Sequence, residues 1–324
     1  MRVVIHLGYP RTGTTLLQTN VFPIHKQINF LGPVNYQNND DIKITQDDLE
    51  LISMTNNEYD LDNKIVNKID KDVIQYFDEK KINIISTEAY TMFQYAHYNF
   101  RDLRYLEILL NQKYENVQFD FLIVLRNQYD LIKSIYYFNY HKISELLKIK
   151  NFKLIFNSLG EEKTDKYDLP LNQFLRNYDF YHLNNKLLNK FNKSNVKYLF
   201  YEDLKFDKNF FSNELFNFLH IEKNYTLNPF KTETINSRKT LHNKNYFMTS
   251  KTYKFLKSKT YLFLKDAIPF KKYLKKIFIK YFVYSNTSHN SDEEKIFKEK
   301  IKAYYSDSNL KFFNQVKINN KFDY

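Results

Sequence analysis

Glycine is so scarce in this chain that its placement constrains the fold. The 324 residues contain only four glycines, and two of them, Gly8 and Gly13, lie five positions apart. Residues 2–7 before them form a short apolar run that predicts a buried strand, and residues 14–21 after them predict the start of a helix. Because glycine tolerates positive φ and close backbone approach, this order predicts an anion-binding turn at a helix N-terminus. The alternative is a tight turn that binds nothing.

The polar residues of this turn separate it from an ATP-binding loop. The pattern G-x-x-x-x-G-K-[ST] requires lysine after the second glycine, where this chain has Thr14, and the cation Arg11 lies inside the loop instead. That lysine handles the β- and γ-phosphates of a triphosphate, and the strand expected over 119–125 ends in Arg126 rather than in a magnesium-binding aspartate. The chain also lacks cysteine, which excludes thiolate metal sites. We therefore expect an anionic nucleotide bound without a metal, with hydroxyl donors from Thr14 and Thr15. A P-loop kinase that uses ATP is the first alternative.

Strand and helix patterns alternate along the first 240 residues. Further buried strands are predicted over 81–86, 119–125 and 196–200. Helical patterns cover fragments of 64–79, then 100–112, a segment to about 147, 207–219 and 292–313. The alternation predicts an α/β fold, a P-loop-like parallel sheet flanked by helices with C-terminal helical additions. We predict one domain over 1–324, with a core over about 1–240 and a basic helical extension over about 241–324.

The glycine turn resembles a known family loop. It is similar to the 5′-phosphosulfate loop of sulfotransferases, P-K-[ST]-G-T-T, and here reads Pro10-Arg11-Thr12-Gly13-Thr14-Thr15. The resemblance implies a P-loop fold that binds 3′-phosphoadenosine 5′-phosphosulfate (PAPS) through these residues. It also implies that Arg11, in place of the family lysine, stabilises charge on the moving sulfuryl group.

A second motif follows the central strand. The run Arg126-Asn127-Gln128-Tyr129-Asp130, with Ser134 and Tyr136 after it, resembles the family motif R-[ND]-P-x-[DE]-x-x-x-S-x-Y. By this resemblance Arg126 and Ser134 bind the 3′-phosphate, since a guanidinium forks onto phosphate oxygens and a hydroxyl adds a donor.

Two weaker matches lie further along the chain. Tyr201-Glu202-Asp203-Leu204 resembles the Y-E-D-L segment of the family, and we interpret it as structural, capping the following helix or bracing the sheet edge. Arg238 falls where related enzymes close a loop over the nucleotide. It could contact the 3′-phosphate, or it could belong to an exposed basic loop.

Sulfuryl transfer to a hydroxyl requires a general base. Ser86-Thr87-Glu88 resembles the strand–S-x-E feature of bacterial and heparan-type carbohydrate sulfotransferases, so Glu88 is our candidate base and a carbohydrate our expected acceptor. A capping or ion-paired glutamate is the alternative, and His97 and His141 are the rival bases. His6, inside the first strand, is interpreted as a satisfied core side chain.

The net charge of +12 is concentrated in one stretch. Residues 239–280 hold 12 lysines against one acid, Asp266, so the rest of the chain is near neutral and a nucleic-acid surface is not expected. The segment 239–284 could be a solvated helix face, a groove for an acidic acceptor or a peripheral membrane contact. With no leader pattern and no long apolar run, we expect a cytoplasmic enzyme. A non-catalytic nucleotide-fold protein that tethers glycans or membranes is the second alternative.

Overall fold

The core of the fold is a parallel five-stranded sheet. A computed structural model describes residues 1–33, 43–44, 73–91, 100–139, 170–191, 195–222, 246–248, 283–285 and 291–322, together with Ile143, Leu147, Phe152, Ile155 and Tyr324. The strands are β1 (Arg2–Gly8), β2 (Ile28–Pro33), β3 (Ile82–Ser86), β4 (Gln118–Leu125) and β5 (Val196–Phe200). Their order is β2-β3-β1-β4-β5, and every neighbouring pair is parallel. The predicted α/β class is therefore confirmed.

Helices and short helical turns connect the strands. The helices are α1 (Thr14–Leu16, continuing as a π-helical turn over Leu17–Val21), α2 (Arg101–Lys113), α3 (Gln128–Phe138), α4 (Pro170–Arg176), α5 (Phe180–Lys190), α6 (Tyr201–Phe206), α7 (Lys208–Leu219) and α8 (Ser291–Val316). Short 3₁₀ turns cover Ile74–Tyr76 and Ala89–Thr91. The helices expected over 100–112, 207–219 and 292–313 are confirmed close to their predicted bounds. The helix expected to reach about 147 is described to Phe138, and the N–H groups of Ile143 and Leu147 bond four residues back at 2.9 and 2.8 Å.

The strand order reverses at β1. From β1 the chain builds β2 and β3 on one side of it and then crosses to β4 and β5 on the other. Open α/β sheets bind ligands at the carboxyl edge where the order reverses. The glycine turn follows β1 directly, and the segments that follow β3 and β4 begin at the same edge of the sheet.

The sequence did not predict β2. This strand contains Asn29, Gly32 and Pro33, residue types that are depleted in strands, and its register with β3 shifts between Phe30 and Gly32. It is tolerated because it lies at the edge of the sheet. Asn29 is buried there, and its amide donates to Asn83 and to the Tyr76 carbonyl at 2.7 Å each.

One apolar cluster packs helices against the sheet. Its members come from all five strands, from the π-helical turn and from α6 and α7, and they include Val4, Leu17, Ile28, Ile84, Leu122, Val124, Leu199, Leu204, Phe211 and Leu215. Full burial of each large side chain contributes about 1.5–3 kcal/mol. The segment that carries the glycine turn is therefore fixed at both ends by core side chains.

The chain divides into two compact units. The first comprises residues 1–127, 176–235 and 308–323 and contains the whole sheet. The second comprises 128–175, 236–307 and Tyr324. It contains α3, where Lys133 pairs with Glu294 at 2.6 Å, and the antiparallel pair β6 (Tyr246–Met248) and β7 (Val283–Ser285). The single-domain organisation stays a prediction.

The C-terminal extension differs in part from expectation. Its described part holds α8 and also the two short strands β6 and β7, which the helical spacing did not predict. Most of the basic segment 239–284 lies outside the described residues, including the helical pattern at 270–281.

Candidate active site

The turn after β1 has the backbone conformation that its glycines predict. Gly8, Arg11 and Gly13 have φ values of 91°, 68° and 90°, in the left-handed region that favours glycine. The Gly13 carbonyl accepts from the N–H groups of Leu16 and Leu17 at 2.9 and 3.3 Å, which starts the helical stretch. A Cβ on Gly13 would overlap the Cδ2 atom of Leu204. Glycine is therefore required at this position both for its φ and for space.

Two threonine hydroxyls shape the turn from inside. Those of Thr12 and Thr14 donate to the Tyr9 carbonyl oxygen at 2.5 and 3.0 Å. The Tyr9 N–H donates in turn to the Val124 carbonyl of β4 at 3.1 Å. The Thr14 hydroxyl therefore stabilises the turn in this structure, and its expected role as a donor to a ligand stays a prediction.

Glu88 is held against the first glycine of the turn. The N–H of Thr87 donates to the His6 carbonyl at 2.8 Å, which extends the β1–β3 ladder to the residue before Glu88. Thr91 joins the following 3₁₀ turn to β1, because its hydroxyl donates to the Leu7 carbonyl at 2.8 Å. A Cβ on Gly8 would lie 3.3 Å from the Glu88 Cγ. The sheet edge and the turn thus fix the backbone of Glu88 in place.

The surroundings of Glu88 suit a proton acceptor. Burial raises the pKa of its carboxyl, while a hydrogen bond with the Thr14 side chain and the positive charge of Arg11 act in the opposite direction. The net shift is upward, and a carboxylate with a raised pKa is a stronger base near neutral pH. The structure therefore brings Glu88, Arg11 and Thr14 together at one point of the turn.

Arg126 joins the second motif to the first. Its Nη1 donates to the Arg11 carbonyl oxygen at 2.9 Å, and its guanidinium carbon lies 4.7 Å from the centre of the Tyr201 ring. A guanidinium has five N–H donors. Within the described part of the chain, the Nη1–H bonded to Arg11 is the donor of Arg126 that has an acceptor. Arg126 is thus positioned at the turn and can also bind an anion.

The Tyr201–Leu204 segment is a brace for two loops, the glycine turn and the segment after β4. It forms most of α6, where the Glu202 carboxylate accepts from the Asn127 N–H at 3.0 Å and Leu204 fills the space beside Gly13. It does not cap the next helix, because the Asp207 side chain accepts from the Phe210 N–H at 2.9 Å at the start of α7. Of the two structural roles expected for this segment, bracing is the one that the contacts support.

Four further residues were singled out in the sequence: Ser134, Arg238, His97 and His141. Ser134 lies on α3 in the second unit and is 4% exposed, and its ligand role stays a prediction. Arg238, His97 and His141 lie outside the described residues.

His6 is a core side chain that is only partly satisfied. Its ring is fully buried, with Nδ1 2.7 Å from the Ser86 hydroxyl. Its Nε2 has no hydrogen-bond partner among the described residues. Burial lowers the pKa of His6 to about 3, so the ring is neutral at physiological pH.

The described ranges contain neither a metal-ligand cluster nor a membrane-spanning helix. In that part of the chain, no group of three or more His, Asp or Glu side chains is arranged to hold a metal ion. No helix within the same ranges is long and apolar enough to cross a membrane.

Comparison with known proteins identifies the family. The model of the sulfotransferase domain matches residues 2–282, so the chain belongs to the sulfotransferase family. No curated protein matches the sequence. The family acts by sulfuryl transfer, which agrees with the P-loop-like sheet and the cationic turn.

The solved structures to which this chain is similar include three sulfotransferases. A sulfotransferase from Alicyclobacillus acidocaldarius has 10% identity over 98% of this chain and 96% of its own, with a TM-score of 0.46. The sulfotransferase domain of the Synechococcus PCC 7002 olefin synthase has 15% identity over 72% of this chain and 78% of its own, with a TM-score of 0.36. The sulfotransferase domain of the curacin biosynthetic pathway has 15% identity over 98% and 97%, with a TM-score of 0.34.

Proposed function

We propose that this protein transfers the sulfuryl group of PAPS to a hydroxyl of a carbohydrate acceptor, with Glu88 as the general base. The observation that carries the proposal is the meeting of Glu88 and Arg11 at the glycine turn, to which Arg126 is bonded. A base, a cation for the moving group and a cation for a second phosphate are the three groups that this reaction requires.

The residues present fit such a nucleotide. The turn has left-handed backbone at three positions and leads into a helical N-terminus, an arrangement that favours phosphate and sulfate oxygens. In the proposal, Arg11 and the segment Thr12–Thr15 hold the 5′-phosphosulfate. The 3′-phosphate is held by Arg126, Ser134 and Arg238. When bound, PAPS supplies an activated sulfuryl group, and adenosine 3′,5′-bisphosphate is its leaving group.

The side chains of the turn have complementary tasks in this proposal. Glu88 receives the proton of the acceptor hydroxyl at its carboxylate, which makes the oxygen a better nucleophile. Arg11 stabilises the negative charge of the transferring group, as fixed donors do in phosphoryl transfer. The Thr14 hydroxyl, with one hydrogen to share between the Tyr9 carbonyl and Glu88, orients the carboxyl.

The acceptor class has narrower support than the nucleotide. It depends on the resemblance of Ser86-Thr87-Glu88 to carbohydrate sulfotransferases, so carbohydrate is the first class of acceptor to test. The cytoplasmic location expected from the sequence stays a prediction.

Nucleotide selectivity tests the proposal without knowledge of the acceptor. Titration calorimetry on the wild-type protein should give tighter binding of adenosine 3′,5′-bisphosphate than of AMP, because the second phosphate adds charge-assisted hydrogen bonds. Equal affinity for the two nucleotides would contradict the assignment of PAPS. Tighter binding of ATP with Mg²⁺ would favour the kinase alternative instead.

Turnover can then be measured with the donor. PAPS is incubated with the protein and pools of oligosaccharides, and the release of adenosine 3′,5′-bisphosphate and the sulfation of the sugars are followed together. The Glu88→Gln variant, with intact nucleotide affinity, is the negative control. Donor binding without acceptor-dependent release from any pool would contradict the carbohydrate assignment.

A further inference from the structure

Near the C-terminus, Lys321 contacts the Tyr201–Leu204 brace. The Lys321 ammonium lies 2.7 Å from the Asp203 carboxylate of α6. It also lies over three aromatic rings, 4.1 Å from the centre of Phe210, 5.0 Å from Phe322 and 5.6 Å from Phe200. The Lys321 side chain is 37% exposed and that of Asp203 9% exposed, and the ring faces add a cation–π attraction to the ion pair.

We propose that Lys321 is a positioning residue for the nucleotide site. Acting through Asp203, it fixes the orientation of α6, and α6 in turn holds the glycine turn and the segment after β4 in the geometry that binds the nucleotide. The inference concerns the same site as the proposed function and rests on it.

Helix α6 needs such support because it is short. A helix of six residues is not stable by itself, so its orientation depends on the contacts of its side chains. Asp203, 7% exposed, lies between the two residues that contact the loops. On one side Glu202 bonds the Asn127 N–H, and on the other Leu204 packs against Gly13. A displacement at Asp203 is therefore transmitted to both loops.

The contacts form one continuous path within the first unit. It runs from Lys321 to Asp203, then to Glu202 and Asn127, the residue next to Arg126, whose guanidinium stacks on Tyr201 of the same helix. A different account would have the Lys321 charge attract the anionic nucleotide directly. That attraction would be screened by salt and would not require Asp203, so the two accounts predict different results.

The first experiment compares three lysine variants by calorimetry with adenosine 3′,5′-bisphosphate at 0.15 M salt. We expect Lys321→Met to weaken binding about threefold to tenfold, within the range of residues that act through others. Lys321→Arg, which keeps the charge and the cation–ring contacts, should bind close to wild type. Lys311→Met on the exposed face of α8 is the matched control for loss of one positive charge and should change nothing. In turnover, Lys321→Met should raise the KM for the donor and leave kcat nearly unchanged.

The second experiment is a double-mutant cycle with Asp203→Asn. If Lys321 acts through Asp203, Lys321→Met should have no further effect on affinity in the Asp203→Asn background. The same loss in both backgrounds would overturn the proposed path, and unchanged affinity in Lys321→Met would overturn the proposal. Should Lys321→Met not fold, Asp203→Asn alone must weaken binding of the bisphosphate by the about threefold to tenfold expected for Lys321→Met. Wild-type affinity in Asp203→Asn overturns the proposal. Failure of the proposed function is distinguishable, because it appears in the wild-type protein as no preference for the bisphosphate over AMP.

Discussion

Arg126 donates a hydrogen bond from Nη1 to the carbonyl oxygen of Arg11 across 2.9 Å, although the two residues are 115 positions apart in sequence. Arg11 has a φ of 68°, a backbone conformation that is costly for a residue with a Cβ atom, and this bond supports Arg11 in that conformation. Arg126 thereby has two tasks. One is to stabilise the turn, and the other, in the proposed function, is to bind the 3′-phosphate.

We expect Arg126→Ala to weaken binding of adenosine 3′,5′-bisphosphate about tenfold or more. Loss of a charge-assisted hydrogen bond costs roughly 1.5–3 kcal/mol, and each 1.4 kcal/mol corresponds to about a factor of ten. AMP binding should change less, because AMP lacks the second phosphate. Calorimetry with both nucleotides measures the difference.

Two variants serve as controls for Arg126→Ala. Arg104→Ala removes an arginine from the exposed face of α2 and should leave both affinities unchanged. Arg126→Lys keeps the charge but loses the planar fork, so its affinity should fall between those of wild type and Arg126→Ala. An equal loss for AMP and for the bisphosphate in Arg126→Ala would mean that Arg126 only supports the turn.

The sequence predicted those parts of the fold that depend on local pattern. Strands β1, β3, β4 and β5 are rich in apolar residues, and the glycine turn could be identified because two of the four glycines in the chain, Gly8 and Gly13, lie in it. Strand β2 was missed because Asn29, Gly32 and Pro33 are residue types depleted in strands, although Ile28 and Leu31 beside them are buried. The pattern rules that identify strands assume apolar repetition, which Asn29 and Gly32 interrupt.

The site was predictable in its parts but not in its connections. The position of Glu88 at Gly8 follows from parallel strands ending at one edge, which the sequence allowed us to expect. The support that α6 gives to the two loops could not be predicted from the sequence, because Glu202 and Asn127 are 75 positions apart and their bond joins a side chain to the backbone. Lys321 is one of many lysines in the chain, and nothing in its local sequence points to Asp203.

We expect His6 to make the protein less stable in acid. The unfolded chain binds a proton at the ordinary histidine pKa of 6.5, whereas the native protein binds it only near pH 3. Between these values the unfolded state holds more protons, so the free energy of unfolding falls as the pH falls, by up to about 1.4 kcal/mol per pH unit. His6→Gln should lose this contribution, as measured by urea unfolding at pH 7, 6 and 5.

The matched control for His6→Gln is His25→Gln. His25 lies near the surface with Nε2 3.0 Å from the Glu222 carbonyl oxygen, so its replacement measures the effect of removing a histidine that is not buried in the core. A His6→Gln protein with the wild-type slope would show that another group causes the acid sensitivity.

Sulfuryl transfer should not depend on a divalent metal. Thr14 replaces the lysine of an ATP-binding loop and Arg126 follows β4 in place of an aspartate, so the chain lacks there the lysine that contacts the β- and γ-phosphates of a triphosphate and the aspartate that helps to hold its Mg²⁺. Activity with PAPS should therefore persist in excess EDTA. Loss of activity in EDTA with recovery on addition of Mg²⁺ would favour the kinase alternative.

Glu88→Gln tests the general base directly. The variant keeps the shape of the side chain and removes its basicity, so kcat should fall about 10²–10⁴-fold. Affinity for adenosine 3′,5′-bisphosphate should barely change, because the carboxylate acts on the acceptor. Glu115→Gln, at an exposed position, is the matched control and should retain full activity. Near-normal kcat in Glu88→Gln would make Glu88 structural and direct attention to His97 and His141.

The same variant makes a prediction about pH. Because burial raises the pKa of Glu88 in the native protein, the native state holds more protons than the unfolded state between the ordinary glutamate pKa and the raised one. The free energy of unfolding of the wild type should therefore fall, relative to Glu88→Gln, as the pH rises through that window. Below the window the difference should be constant. The rate profile of the wild type should rise with pH through the same interval, since only the ionised carboxylate accepts a proton, and Glu88→Gln should lack that acidic limb. A stability difference that does not vary with pH would contradict the raised pKa, and an acidic limb that persists in Glu88→Gln would assign the base to another residue.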